Sequence, residues 1–164
     1  MAILPDTVVP TTTWPLTAGQ TIVVGTVTAS NDAQNIYITY TLTATGATFG
    51  TLHLWVGDSL ANVPKNSEGI VVPGQFPYQF DAAGGTSHTF TIPLTDVGIT
   101  DVNTVCGKTY YVVSHAEVTI TGEGGTTSQQ TAFGGDQTGE GPRWWFYGSF
   151  PIYCPESPPA RRRR

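Results

Sequence analysis

"NIYITYTLTA", residues 35–44, alternates without a break. Ile36, Ile38, Tyr40 and Leu42 fall on one side, and Tyr37, Thr39, Thr41 and Thr43 on the other. Side chains of a strand point to opposite faces in turn, so this period of two is the mark of a half-buried β-strand. The rest of the chain repeats the signal. "QTIVVGTVTA" (residues 20–29) precedes it. "TFGTLHLWVG" (48–57) sets Leu52, Leu54 and Val56 on one face, with Thr51, His53 and Trp55 on the other. "SHTFTIPL" (87–94) groups Phe90, Ile92 and Leu94. "KTYYVVSHAEVTIT" (108–121) groups Tyr110, Val112, Ala116, Val118 and Ile120, with His115 and Glu117 on the alternate face.

Turn-rich stretches separate these runs. "GDSLANVPKNSEG" (57–69) is polar, "DAAGG" (81–85) is a turn, and Pro73 and Pro77 break "IVVPGQFPYQF" (70–80) into an edge-like segment. No window shows a convincing helical period. Short alternating strands at this spacing predict an all-β fold, an antiparallel β-sandwich of immunoglobulin-like or jelly-roll-like type. The chain of 164 residues is the length of one domain. Its charged fraction of 12% is about half the usual share, and Gly, Pro and Thr replace the missing charges.

The domain is expected to span residues 20–154. Residues 1–19 read as an extended arm, with Pro5, Pro10 and Pro15 spaced by five and Thr between them. Proline removes backbone donors, so the arm is expected to be neither a helix nor a central strand. It lies along the surface as a leader, or it is donated as a strand to a neighbouring subunit through Ile3, Leu4, Val8 and Val9. Residues 155–164 read as a disordered tail ending in Arg161, Arg162, Arg163 and Arg164. The net charge is −5; without those four arginines, three basic residues stand against twelve acidic ones, leaving −9 for the body. That balance argues against nucleic-acid binding by the fold itself, and only the tail has the charge to contact it. It also argues against attraction to anionic membranes. No apolar run is long enough to span a membrane, and the first sixteen residues lack the basic start and apolar core of a secretory signal.

Cys106 stands just before the strand near Lys108, and Cys154 closes the last one. If those strands pair antiparallel, the two cysteines meet. A disulfide there closes a loop of about 48 residues, for which loop-closure entropy gives on the order of 4 kcal/mol. Such a bridge suits an extracellular or cell-surface protein.

The stretch "AFGGDQTGEGPRWWFYGSFPIYC" (132–154) holds most of the candidate chemistry. Asp136 and Glu140, among glycines, resemble half of a calcium loop, but calcium needs six to eight oxygens and only two carboxylates are local. Alternation through Pro142–Cys154 predicts Trp144, Phe146, Phe150 and Ile152 in the core. Trp145 and Tyr147 then face out, as do His53 and Trp55 on another strand. Exposed aromatics of this kind stack on sugars or line a subunit interface. The three histidines, His53, His88 and His115, lie on three separate strands with no short chelating spacing. Neither a nucleophile elbow nor a phosphate loop is present, so no enzymatic activity is expected.

Four segments in order, "LHLWVGDSLANVP", "PGQFPY", "VVSHAEV" and "TAFGGD…GPRWWFY", resemble an uncharacterised β-sandwich domain of secreted and surface proteins from bacteria and archaea. The similarity spans about residues 20–154. Ser114 departs from it, standing where that pattern has a small apolar residue, and so does the arginine tail. The resemblance implies an extracellular place and a structural or adhesive role, and it supplies no catalytic residue. The expected function is therefore a structural surface or filament-forming protein that self-assembles. A carbohydrate-binding module and a viral or phage coat or decoration protein are the alternatives. No cofactor is expected.

Overall fold

The computed structural model describes residues 9–155. Ten strands form: β1 (Thr12–Ala18), β2 (Ile22–Asn31), β3 (Asn35–Leu42), β4 (Ala47–Gly57), β5 (Tyr78–Asp81), β6 (Ser87–Pro93), β7 (Thr109–Thr121), β8 (Thr127–Gly134), β9 (Gln137–Thr138) and β10 (Phe146–Pro151). Among the described residues, helical structure is limited to short 3-10 turns. Every strand pair is antiparallel. One sheet runs β5-β4-β7-β8-β1-β2-β3-β6, with β10 paired to β7 and β9 paired to β10.

The sheet curls until its two ends approach. Among the described strands, β5 pairs only with β4, and β6 only with β3. Side chains bridge the remaining gap: the Phe80 ring stacks on His88 at 3.8 Å, and the Tyr78 hydroxyl donates to Asp96 at 2.7 Å. Strands far apart in the sheet order face each other across the interior. Tyr40 of β3 is fully buried, packs edge-on against Phe49 of β4, and donates its hydroxyl to the backbone oxygen of His53 at 2.8 Å.

The alternation of β3 is realised as read, with Ile36, Ile38, Tyr40 and Leu42 all buried. In β4 a bulge sets Gly50 and Thr51 opposite Glu117 alone. The extra residue flips the phase, so Ala47 and Phe49 before it and Leu52, Leu54 and Val56 after it all reach the same core. β2 does the same at Val24.

Residues 12–18 correct the reading of the first nineteen residues as an arm. They form β1, which lies between β2 and β8 and buries Trp14, Leu16 and Ala18. Proline is tolerated here for a specific reason. The Pro15 carbonyl accepts from Gly135 at 3.0 Å, so its missing N–H points to that same side, just where β8 ends. β8 pairs with β1 only through Leu16, Thr17 and Ala18. Beyond that point Trp14 packs over Gly148 of β10, where a Cβ would fall inside the indole. Gly148→Ala therefore lowers stability by about 1–3 kcal/mol through overpacking, read as a fall in the urea midpoint; an unchanged midpoint would show that the Trp14 ring moves aside freely.

β10 pairs with the first part of β7, Pro151 opposite Thr109. The geometry expected for the cysteines follows, and Cys106 and Cys154 form a disulfide with Cα atoms 5.4 Å apart. Nearby, the Asn31 side chain donates to the Tyr153 oxygen at 2.8 Å and accepts from its nitrogen at 2.9 Å. Among the described residues no helix is long and apolar enough to cross a membrane.

Candidate functional site

The outer face of β4, β7, β8 and β10 carries a second apolar cluster. Trp55, Val113 and Phe133 come from β4, β7 and β8, Trp145 from the segment leading into β10, and Val63, Val71 and Phe76 from the segment that follows β4. That segment is tied down by its own turns. Ser59 caps one 3-10 turn, and the Asn66 side chain accepts from the nitrogens of Glu68 and Ile70.

This cover corrects the expectation of an exposed aromatic platform. Trp55 is 6% exposed and Trp145 only 2%. Tyr147 is half-buried. Alternation misplaced Trp145 because the strand begins only at Phe146, after a bend at residues 141–143. Past that bend the Trp145 indole N–H donates to the Glu140 oxygen at 2.9 Å, and its own carbonyl accepts from Gly139 at 2.8 Å. The Lys65 ammonium lies 5.3 Å from the centre of its ring. Trp144 and Phe146, expected in the main core, instead pack half-buried against this second cluster. Phe150 and Ile152 do enter the main core.

The face also brings together two histidines that lie 62 residues apart in the chain. His53 of β4 and His115 of β7 are direct cross-strand partners, with Nδ1 atoms 3.1 Å apart. Both are buried. Burial, and then the neighbouring His53, push the His115 pKa down to about 3. Burial lowers His53 as well, partly offset by the charge of Glu117. Both rings are thus neutral at neutral pH, one Nδ1–H donating to the other Nδ1 lone pair. His88 does not join them. It sits on β6 against Phe80, its pKa lowered by burial.

Two clefts open on this face. One, of about 280 Å³, is lined by Leu60, Lys65, Glu140, Trp145 and Tyr147 among others. The other, of about 240 Å³, is lined by Ile70, Val71, Pro73, His115, Thr131, Phe133, Arg143 and Trp144. Phe133 and Trp144 meet edge-to-face at 5.3 Å.

Asp136 and Glu140 are exposed, and no group of three or more His, Cys, Asp or Glu side chains able to hold a metal ion occurs among the described residues. Ile3, Leu4, Val8 and Arg161 to Arg164 lie outside the described residues, whereas Val9 is described and 39% exposed. The signal that would have revealed the covered face was "SLANVP…IVV…F": apolar residues spaced through a polar loop, which serve no purpose unless the loop packs. Comparison of the chain with protein-family models, with curated proteins and with solved structures finds no match in any of the three.

Proposed function

We propose that the protein is a structural subunit of an extracellular surface or filament, and that it self-assembles by donating residues ahead of β1 to a neighbouring copy. The observation that carries this reading is the break between β5 and β6. There, among the described residues, the sheet presents two strand edges without backbone partners, bridged by the Phe80–His88 and Tyr78–Asp96 contacts. An added strand would satisfy those edges. Phe80, 44% exposed at the break, gives it an apolar anchor. Eleven residues precede β1, enough to reach roughly 36 Å when extended, and they include Ile3, Leu4, Val8 and Val9. The contact of Tyr40 with β4 across the interior favours a flattened, sandwich-like form of the curled sheet. The disulfide and the resemblance to secreted and surface domains favour an extracellular place.

The test is mass per particle by light scattering, on the full chain and on a variant lacking residues 1–9. The full chain is expected as oligomers or filaments and the truncate as a folded monomer. A full chain that stays monomeric at high concentration overturns the reading, as does a truncate that assembles unchanged.

A further inference from the structure

We propose that the cleft between residues 70–73 and Arg143–Trp144 is a binding site for an acidic sugar unit, a uronate, held by its carboxylate and by the apolar face of its ring. The inference is independent of the assembly reading.

Charge is the first observation. Among the described residues the lining holds one arginine and no carboxylate, with Glu117 next to it as the cross-strand partner of Thr131, in a body that carries −9. Among the described residues the one ion pair is Lys108–Asp58, so Arg143 has no acidic partner there. Its planar guanidinium matches a carboxylate in two parallel hydrogen bonds. The neighbouring cleft differs in this respect. There a carboxylate, Glu140, shares the lining with Lys65, whose ammonium lies over the Trp145 ring.

Shape is the second. The volume of about 240 Å³ is below the range of drug-sized pockets, which begin near roughly 300 Å³, so it suits a single sugar residue. Trp144 is half-buried, leaving part of its indole open. The C–H face of a pyranose stacks on such a surface. The exposed Thr131, also in the lining, offers a hydroxyl to the sugar's own.

The histidine pair is the third. His115 lines the cleft while its Nδ1 is engaged by His53. Nε2 is then the ring atom left for a ligand. When the His53 Nδ1–H donates, His115 becomes the Nε2–H tautomer and presents a donor to the carboxylate or a sugar oxygen. With the proton on the His53 Nδ1, His53 is the positioning residue, because it selects the His115 tautomer.

The experiment is a titration of the ¹⁵N-labelled full chain with glucuronate, glucose and acetate, followed by NMR. Glucuronate is expected to shift the Trp144 indole and His115 ring signals, with millimolar affinity at least tenfold tighter than either control. Arg143→Gln is expected to weaken glucuronate at least tenfold while leaving the melting temperature unchanged, since Arg143 is exposed. His53→Phe is expected to change the His115 ring ¹⁵N shifts and weaken glucuronate. Equal response to acetate, equal response to glucose, shifts confined to the terminal arginines, or no shift at all each overturns the proposal.

Discussion

A truncation that removes residues 1–19 yields an unfolded chain, and one that removes only residues 1–9 yields a folded one. The difference is β1. Residues 12–18 supply backbone partners to β2 along its length and to the end of β8. Removing them leaves both neighbours with bare edges inside the sheet. It also removes Trp14, Leu16 and Ala18, at most 3% exposed, from the main core. Truncating one buried tryptophan to alanine costs about 3–5 kcal/mol, and one leucine about 2–5. Whole domains are stable by only about 5–15 kcal/mol. Losing both side chains with their strand therefore exceeds what the fold can absorb. Circular dichroism and a urea titration check it. Trp14→Ala in the full chain provides the graded version, with a loss of about 3–5 kcal/mol. A cooperative transition of normal midpoint in the longer truncate would mean that β1 is dispensable.

Stability falls as pH drops below about 6.5, and the buried histidine pair is the main cause between there and about pH 4.5. The unfolded chain has ordinary histidines, which take up protons near pH 6.5. Folded His115 does so only near 3, and His53 is also depressed. A depressed histidine contributes stability that is complete above the unfolded pKa. That contribution is lost as pH falls toward the folded one. The slope is at most about 1.4 kcal/mol per pH unit for each proton withheld. Glu117, whose charge favours protonated His53, reduces that ring's share. Asp32 acts lower on the scale. Burial pushes its carboxyl up, but the hydrogen bonds from Tyr37, Gln34 and Asn35 outweigh this and hold it below the usual carboxylate range. Urea midpoints measured from pH 7.5 to 4.5 on the native protein and on His115→Gln separate the causes. The native midpoint is expected to fall steeply and the variant's more gently. Parallel curves would remove the histidine pair from the account.

Local pattern carried the strands whose side chains declare a face. Residues 35–42 and 87–93 alternate because each is buried on one side; residues 109–121 keep their phase, although 112–116 are buried on both faces. The disulfide was legible too, because it needs only two strand ends to meet. β1 and β8 were not legible. β1 contains a proline, and "TSQQT" in β8 is polar on both faces. Each is a strand because its neighbours offer hydrogen-bond partners, which no local window contains. Bulges at Val24 and Gly50 likewise keep apolar residues inward across a phase change that simple alternation cannot cross.

The candidate site belongs to tertiary structure almost entirely. Composition and spacing marked Trp55, Trp145 and Tyr147 as aromatic but could not say what covers them. The segment carrying Val63, Val71 and Phe76 folds back over two of them, because burying those apolar groups is worth more than leaving the loop in water. The pairing of His53 with His115 and the placing of Arg143 and Trp144 in one cleft with His115 and Phe133 depend on strand register and on a bend at residues 141–143. Alternation determines which face a residue takes; only the path of the whole chain determines what that face meets.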